Sequence, residues 1–67
     1  MKVVMDVYSR KEGVIEKFPS VSTLEEAEQA VKEYCEKNNL QIVARERCDN
    51  SYWNYLSNGN EFDYTIE

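Results

Sequence analysis

The side chains in this sequence that could do chemistry are thirteen carboxylates, two cysteines, eight lysines and arginines and five tyrosines, with no histidine. General acid–base catalysis near neutral pH most often uses imidazole, so Ser-His and Cys-His arrangements are ruled out by composition. A lone thiolate needs a neighbouring cation or a helix N-terminus to lower its pKa. Cys35 falls near the end of the one helical segment, where the helix dipole disfavours negative charge. Cys48 stands between Arg47 and Asp49, but adjacent strand residues point to opposite faces. Both thiols are therefore expected to be inert and reduced, since two cysteines without a histidine make neither a disulfide framework nor a four-ligand zinc site. Gly13 and Gly59 are the only glycines, and both are needed by turns, which leaves none for a phosphate-binding loop. No catalytic residue, cofactor ligand or metal ligand is assigned, and the chain is expected not to be an enzyme.

What remains is recognition by surface. Lys and Arg number 8 against 13 Asp and Glu, a net charge of 8 − 13 = −5. The first 18 residues are close to neutral. In the helical segment, Glu25, Glu26, Glu28, Glu33 and Glu36 outweigh Lys32 and Lys37, and Glu61, Asp63 and Glu67 add to the acidity at the end. Such a field disfavours nucleic acid as a partner, because phosphate backbones are gripped by clustered Lys and Arg. No apolar run approaches the roughly 20 residues that span a bilayer. The opening Met1-Lys2-Val3-Val4-Met5-Asp6 meets an acid too early for a signal peptide, so a cytoplasmic protein is expected.

The elements that must carry these groups are legible from periodicity. At 67 residues there is room for a single domain, residues 1–67. Val3, Met5 and Val7 alternate with polar residues as in a half-buried strand. Glu12-Gly13 read as a two-residue turn brings Val7 opposite Phe18, and Pro19 ends the returning strand. Thr23 with Glu26 forms a capping box. Leu24, Ala27, Ala30, Val31, Tyr34 and Cys35 then recur at helical spacing, and Asn38-Asn39 stops the helix, which spans about 23–38. The remainder reads as a three-stranded meander. Asn58-Gly59 as a type I′ turn pairs Tyr55 with Phe62 and Trp53 with Tyr64, so that Trp53, Tyr55, Phe62, Tyr64 and Ile66 share the core face. Asp49-Asn50 as a second two-residue turn pairs Ala44 with Tyr55 and places Ile42, Ala44 and Cys48 on that face. Glu46 then falls opposite Trp53 on the core side, where a bulge or an edge position is needed to let its carboxylate reach water.

The fold class that follows is α+β, a two-layer ββαβββ arrangement. One amphipathic helix packs on one face of a five-stranded antiparallel sheet of order 2-1-3-4-5 or 2-1-5-4-3. One helix covers one face only. The other is expected to show Val4, Asp6 and Tyr8 with Val43, Arg45, Arg47, Tyr52, Asn54, Leu56 and Asp63, and Arg47 is expected to stack on its cross-strand neighbour Tyr52. Tyrosine and arginine are favoured where proteins bind one another. Candidate partner-binding residues are thus Tyr8, Arg45, Arg47 and Tyr52 on the open sheet, and Glu25, Glu28, Glu33 and Glu36 on the helix. The expected partner is a protein, met by a monomer or homodimer. Nucleic-acid binding through the open sheet and dimerisation of a structural domain are the alternatives.

In size, acidity and the succession of strands, helix and aromatic C-terminal hairpin, with Trp53-Asn54-Tyr55 facing Phe62-Asp63-Tyr64, the chain resembles small phage and mobile-element proteins of the anti-CRISPR type. That resemblance implies inhibition of a host nucleoprotein complex, by occluding its surface or by imitating nucleic-acid charge, a part that Glu25, Glu28, Glu33 and Glu36 would play.

Overall fold

The computed structural model describes residues 1–67 as β1 (Val3–Ser9), β2 (Gly13–Val21), α1 (Leu24–Lys37), β3 (Ile42–Cys48), β4 (Ser51–Leu56) and β5 (Glu61–Ile66). The five strands form one antiparallel sheet in the order β2-β1-β5-β4-β3. Of the two orders compatible with antiparallel pairing, the chain adopts the one that inserts β5 beside β1. Val3, Met5 and Val7 thereby stand opposite Ile66, Tyr64 and Phe62, so apolar side chains meet apolar side chains along the helix-facing side of the pair.

The helix begins and ends where its sequence specifies. The Thr23 hydroxyl accepts from the Glu26 amide at 3.1 Å, and the Glu26 carboxylate reaches back to the Ser22 amide at 3.2 Å. At the other end the Leu40 amide donates to the Cys35 carbonyl and the Asn39 amide to the Glu36 carbonyl, with Asn39 at φ 54°. This pair of bonds around a left-handed residue satisfies carbonyls that the last turn leaves free. Ala27, Val31 and Cys35 are buried against Val3, Met5, Val7, Leu56, Phe62 and Tyr64. Each fully buried Val or Phe among them contributes roughly 1.5–3 kcal/mol by leaving water. Phe18 stacks on Phe62 at 5.1 Å, and Tyr34 meets both rings edge-on, closing the core towards β2.

Two of the three hairpins differ from expectation, and one difference changes which residues face outward. In the β4–β5 hairpin, Asn58 does not adopt the positive φ that a type I′ turn requires; only Gly59 does, at 89°. The Leu56 amide donates to the Asn60 carbonyl, and the Gly59 amide to the Leu56 carbonyl. The loop is therefore the three residues Ser57–Gly59, a type I turn followed by a left-handed glycine. That extra loop residue moves the register by one, pairing Tyr55 with Glu61, Asn54 with Phe62, Trp53 with Asp63 and Tyr52 with Tyr64. A one-residue slip turns every side chain of a strand to the other face. Phe62, Tyr64 and Ile66 stay on the helix side, but Trp53 and Tyr55 face away, and Tyr52, Asn54 and Leu56 face the helix. The buried Asn54 donates its Nδ2 proton to the Phe62 carbonyl at 3.0 Å.

Strand β3 follows β4. The Asp49-Asn50 turn forms with the expected pairing, Cys48 to Ser51 and Ala44 to Tyr55, with Asp49 at φ 52°. Because β4 is reversed, Ala44, Glu46 and Cys48 face outward and Arg45 and Arg47 face the helix side. A bulge between Ile42 and Ala44 returns Ile42 to the core opposite Leu56. In the β1–β2 hairpin the loop is likewise three residues, Arg10–Glu12, and a bulge between Val7 and Tyr8 shifts the pairing by one residue, so Met5 rather than Val7 faces Phe18. Both cysteines are free; Cys35 is buried and Cys48 exposed, contrary to its expected place on the apolar face.

Candidate functional site

The face of the sheet turned away from α1 is organised as rows running across the strands, whose spacing is about 4.8 Å. The central row is Lys17, Asp6, Asp63, Trp53 and Glu46, from β2 to β3. Beside it run Val14, Tyr8, Glu61, Tyr55 and Ala44. On the other side Val4, Thr65, Ser51 and Cys48 form a small polar row, joined by a 3.0 Å hydrogen bond between the Thr65 and Ser51 hydroxyls. Four carboxylates and three aromatic rings thus interleave on one surface, with Lys17 as its one cation.

Asp63 lies at the middle of this surface, on the central strand. Asp6 faces it from β1, Trp53 from β4, and Glu61 lies two residues along its own strand. Its Oδ1 is shut off from solvent and has no hydrogen-bond partner. Burial, with the charges of Glu61 and Asp6 added, pushes its carboxyl up to about 7. Asp6 is also raised, by burial, against the opposing pull of Lys17. A buried acceptor without a donor costs about 1–3 kcal/mol, and like charges directly opposed across a strand pair are destabilising. The centre of the face therefore lacks a hydrogen-bond donor and positive charge. Glu46, by contrast, is engaged: the Tyr55 hydroxyl donates to its Oε1 at 2.6 Å, which holds the phenol proton and pushes Tyr55 up to about 12. The β3–β4 pairing brings Tyr55 to Glu46, and the outward turn of β4 leaves the carboxylate open to water.

The residues proposed from sequence are divided between the two sides of the sheet. Tyr8 stands on the open face beside Glu61. Arg45, Arg47 and Tyr52 lie on the helix side, where Tyr52 stacks on the buried Tyr64 at 4.9 Å and the Arg47 guanidinium covers Tyr52 at 5.0 Å. The expected arginine–tyrosine stack forms, but as the rim of the core. Glu25, Glu28, Glu33 and Glu36 are all exposed. At about 100° per residue, Glu25 and Glu36 share a line with Lys32 beside them, Glu33 turns towards β2, and Glu28 turns the other way. They do not make one patch. A two-residue turn would place Trp53 and Tyr55 in the core, with Glu46 on the same side. Their place outside was signalled only by the awkward carboxylate of Glu46 among supposed core residues.

No three His, Cys, Asp or Glu side chains converge in a way that would hold a metal ion, and no helix is long and apolar enough to cross a membrane. Comparison with known proteins finds no matching family model, curated protein or solved structure.

Proposed function

We propose that the chain is a non-catalytic binding module whose open sheet face takes a cationic segment of a protein partner. The observation that carries this reading is the placement of Asp63 opposite Asp6 and Trp53, with Glu61 two residues along its strand, at the centre of the open face. A lysine or arginine head set against the half-buried Asp63 carboxyl would offset three carboxylates and rest against Trp53 and Tyr55. The helix acids are a poorer basis, since Lys32 and Lys37 interrupt them. The open face also disfavours nucleic acid, because its arginines lie on the opposite side of the sheet. Two copies packed through this face would set Asp6, Glu61 and Asp63 against their own equivalents, which favours a monomer at neutral pH. A partner surface of this charge is the kind that otherwise grips phosphate, and occupying it in a host nucleoprotein is the role that the anti-CRISPR resemblance implies. Action in the cytoplasm accords with two unbridged thiols.

Titration with a hexa-arginine peptide at low salt, followed by Trp53 fluorescence, tests the reading. A saturable change that weakens about tenfold in an Asp63→Asn, Glu61→Gln variant and persists in a Glu25→Gln, Glu36→Gln variant is expected. Equal weakening by both pairs would mean diffuse attraction to net charge and would refute a defined site.

A further inference from the structure

A concavity lies on the other side of the sheet, between the free edge of β2 and the flank of α1. It encloses about 270 Å³ and is built mainly from Glu16, Phe18, Ala30, Glu33, Tyr34 and Lys37. Its floor is aromatic. Phe18 is fixed from below by stacking on Phe62 and from the side by the edge of Tyr34, 5.9 Å away and nearly perpendicular. The rim is acidic on two elements, Glu16 from the strand and Glu33 from the helix. Glu33 accepts a 3.3 Å hydrogen bond from Gln29, and Glu16 has no side-chain partner. Lys37 stands on the same rim without pairing to either, since the molecule's single ion pair joins Lys2 to Glu67. The Tyr34 hydroxyl makes no hydrogen bond within the chain.

We infer that this cleft holds one arginine side chain of a protein partner, its guanidinium packed into the corner between the perpendicular Phe18 and Tyr34 rings and its N–H groups donating to Glu16 and Glu33. Three features favour arginine. The cavity has the size of a side chain rather than of a cofactor, which needs several hundred Å³. A flat cation satisfies an aromatic floor and a carboxylate rim at once, because guanidinium stacks on rings while its edge donates. Arg47 over Tyr52 shows the same pairing within this chain. Lys37, the one opposing charge, leaves the rim net negative and can swing outward on its flexible stem. The cleft is separate from the open face and does not depend on it.

The test is an NMR titration of the whole chain with N-acetyl-arginine methylamide, with the norleucine and lysine analogues in parallel. Saturable shifts at Phe18, Ala30 and Tyr34 are expected with the arginine compound, weaker ones with lysine, and none with norleucine. Glu16→Gln with Glu33→Gln should reduce affinity about fivefold, and Lys37→Gln should raise it. Equal binding of norleucine would overturn the proposal by making the cleft merely apolar. Shifts confined to Trp53 and Asp63 would overturn it too, while leaving the open-face site standing.

Discussion

Replacing Asp63 by asparagine keeps the shape of the side chain and removes its charge, so it isolates the electrostatic strain at the centre of the open face. In the folded chain the carboxyl is raised from its usual 3.8 to about 7. A group whose folded pKa is raised favours folding while it is protonated. That contribution is fully present below about pH 4 and is lost as pH rises through about 7. The shift of about three units corresponds to a ceiling of about 4 kcal/mol at roughly 1.36 kcal/mol per unit. Asp63 is only partly buried, and screening by water reduces this to about 1–2 kcal/mol. Asp63→Asn should therefore be more stable than the parent by about that amount at pH 8, a gain of roughly 7–14 °C in Tm for a domain of this size. The difference should shrink towards zero at pH 4. Urea denaturation of both proteins at pH 4.5, 6 and 8 measures it, and taking the difference cancels the titration of the remaining carboxylates. A variant no more stable at pH 8, or a gap that does not change with pH, would refute the placement of Asp63 opposite Trp53 and Asp6 and near Glu61. A more stable variant that also loses hexa-arginine binding would show that this carboxylate opposes folding and serves recognition.

The outward turn of β3 predicts that Cys48 reacts with a maleimide at once in the native protein, whereas Cys35, buried and with its thiol pushed up by burial, reacts only on unfolding. Equal rates would place β3 the other way round. Removing the helix cap by Thr23→Ala should cost about 1 kcal/mol, seen as a lower Tm by circular dichroism, and an unchanged Tm would mean that the hydrogen bond to the Glu26 amide contributes nothing.

Legibility in the sequence followed the range of the interaction involved. The helix termini are local: Thr23 and Glu26 lie within one turn, and Asn39 needs only its own tolerance of positive φ, so both ends were readable directly. The Asp49-Asn50 turn was readable for the same reason, and it brought Glu46 correctly opposite Trp53. The Asn58-Gly59 pair was misleading because a left-handed glycine serves two loops of different length. Choosing between them depends on what the flanking strands bury. The loop of Ser57–Gly59 puts Leu56 in the core at 2% exposure and turns the Glu46 carboxylate, with the Tyr55 hydroxyl bonded to it, towards water. The alternative buries Trp53 and Tyr55 together with Glu46. The conflict at Glu46 is visible in the sequence; of the two solutions expected there, a bulge or an edge position, the structure adopts the edge, since β3 is the outermost strand, and adds a reversed face.

The sequence by itself determined the number and order of the elements, the capped amphipathic helix, the acidic balance and the alternation of every strand, because each is set by residues close together in the chain. Tertiary structure decided the insertion of β5 beside β1 and the parity of β4 and β3. A period of two makes a strand's outward face hinge on one loop residue, and only packing against the rest of the sheet and the helix selects it. Asp63 and Trp53 became neighbours on an open surface through that choice, and Arg45, Arg47 and Tyr52 left it.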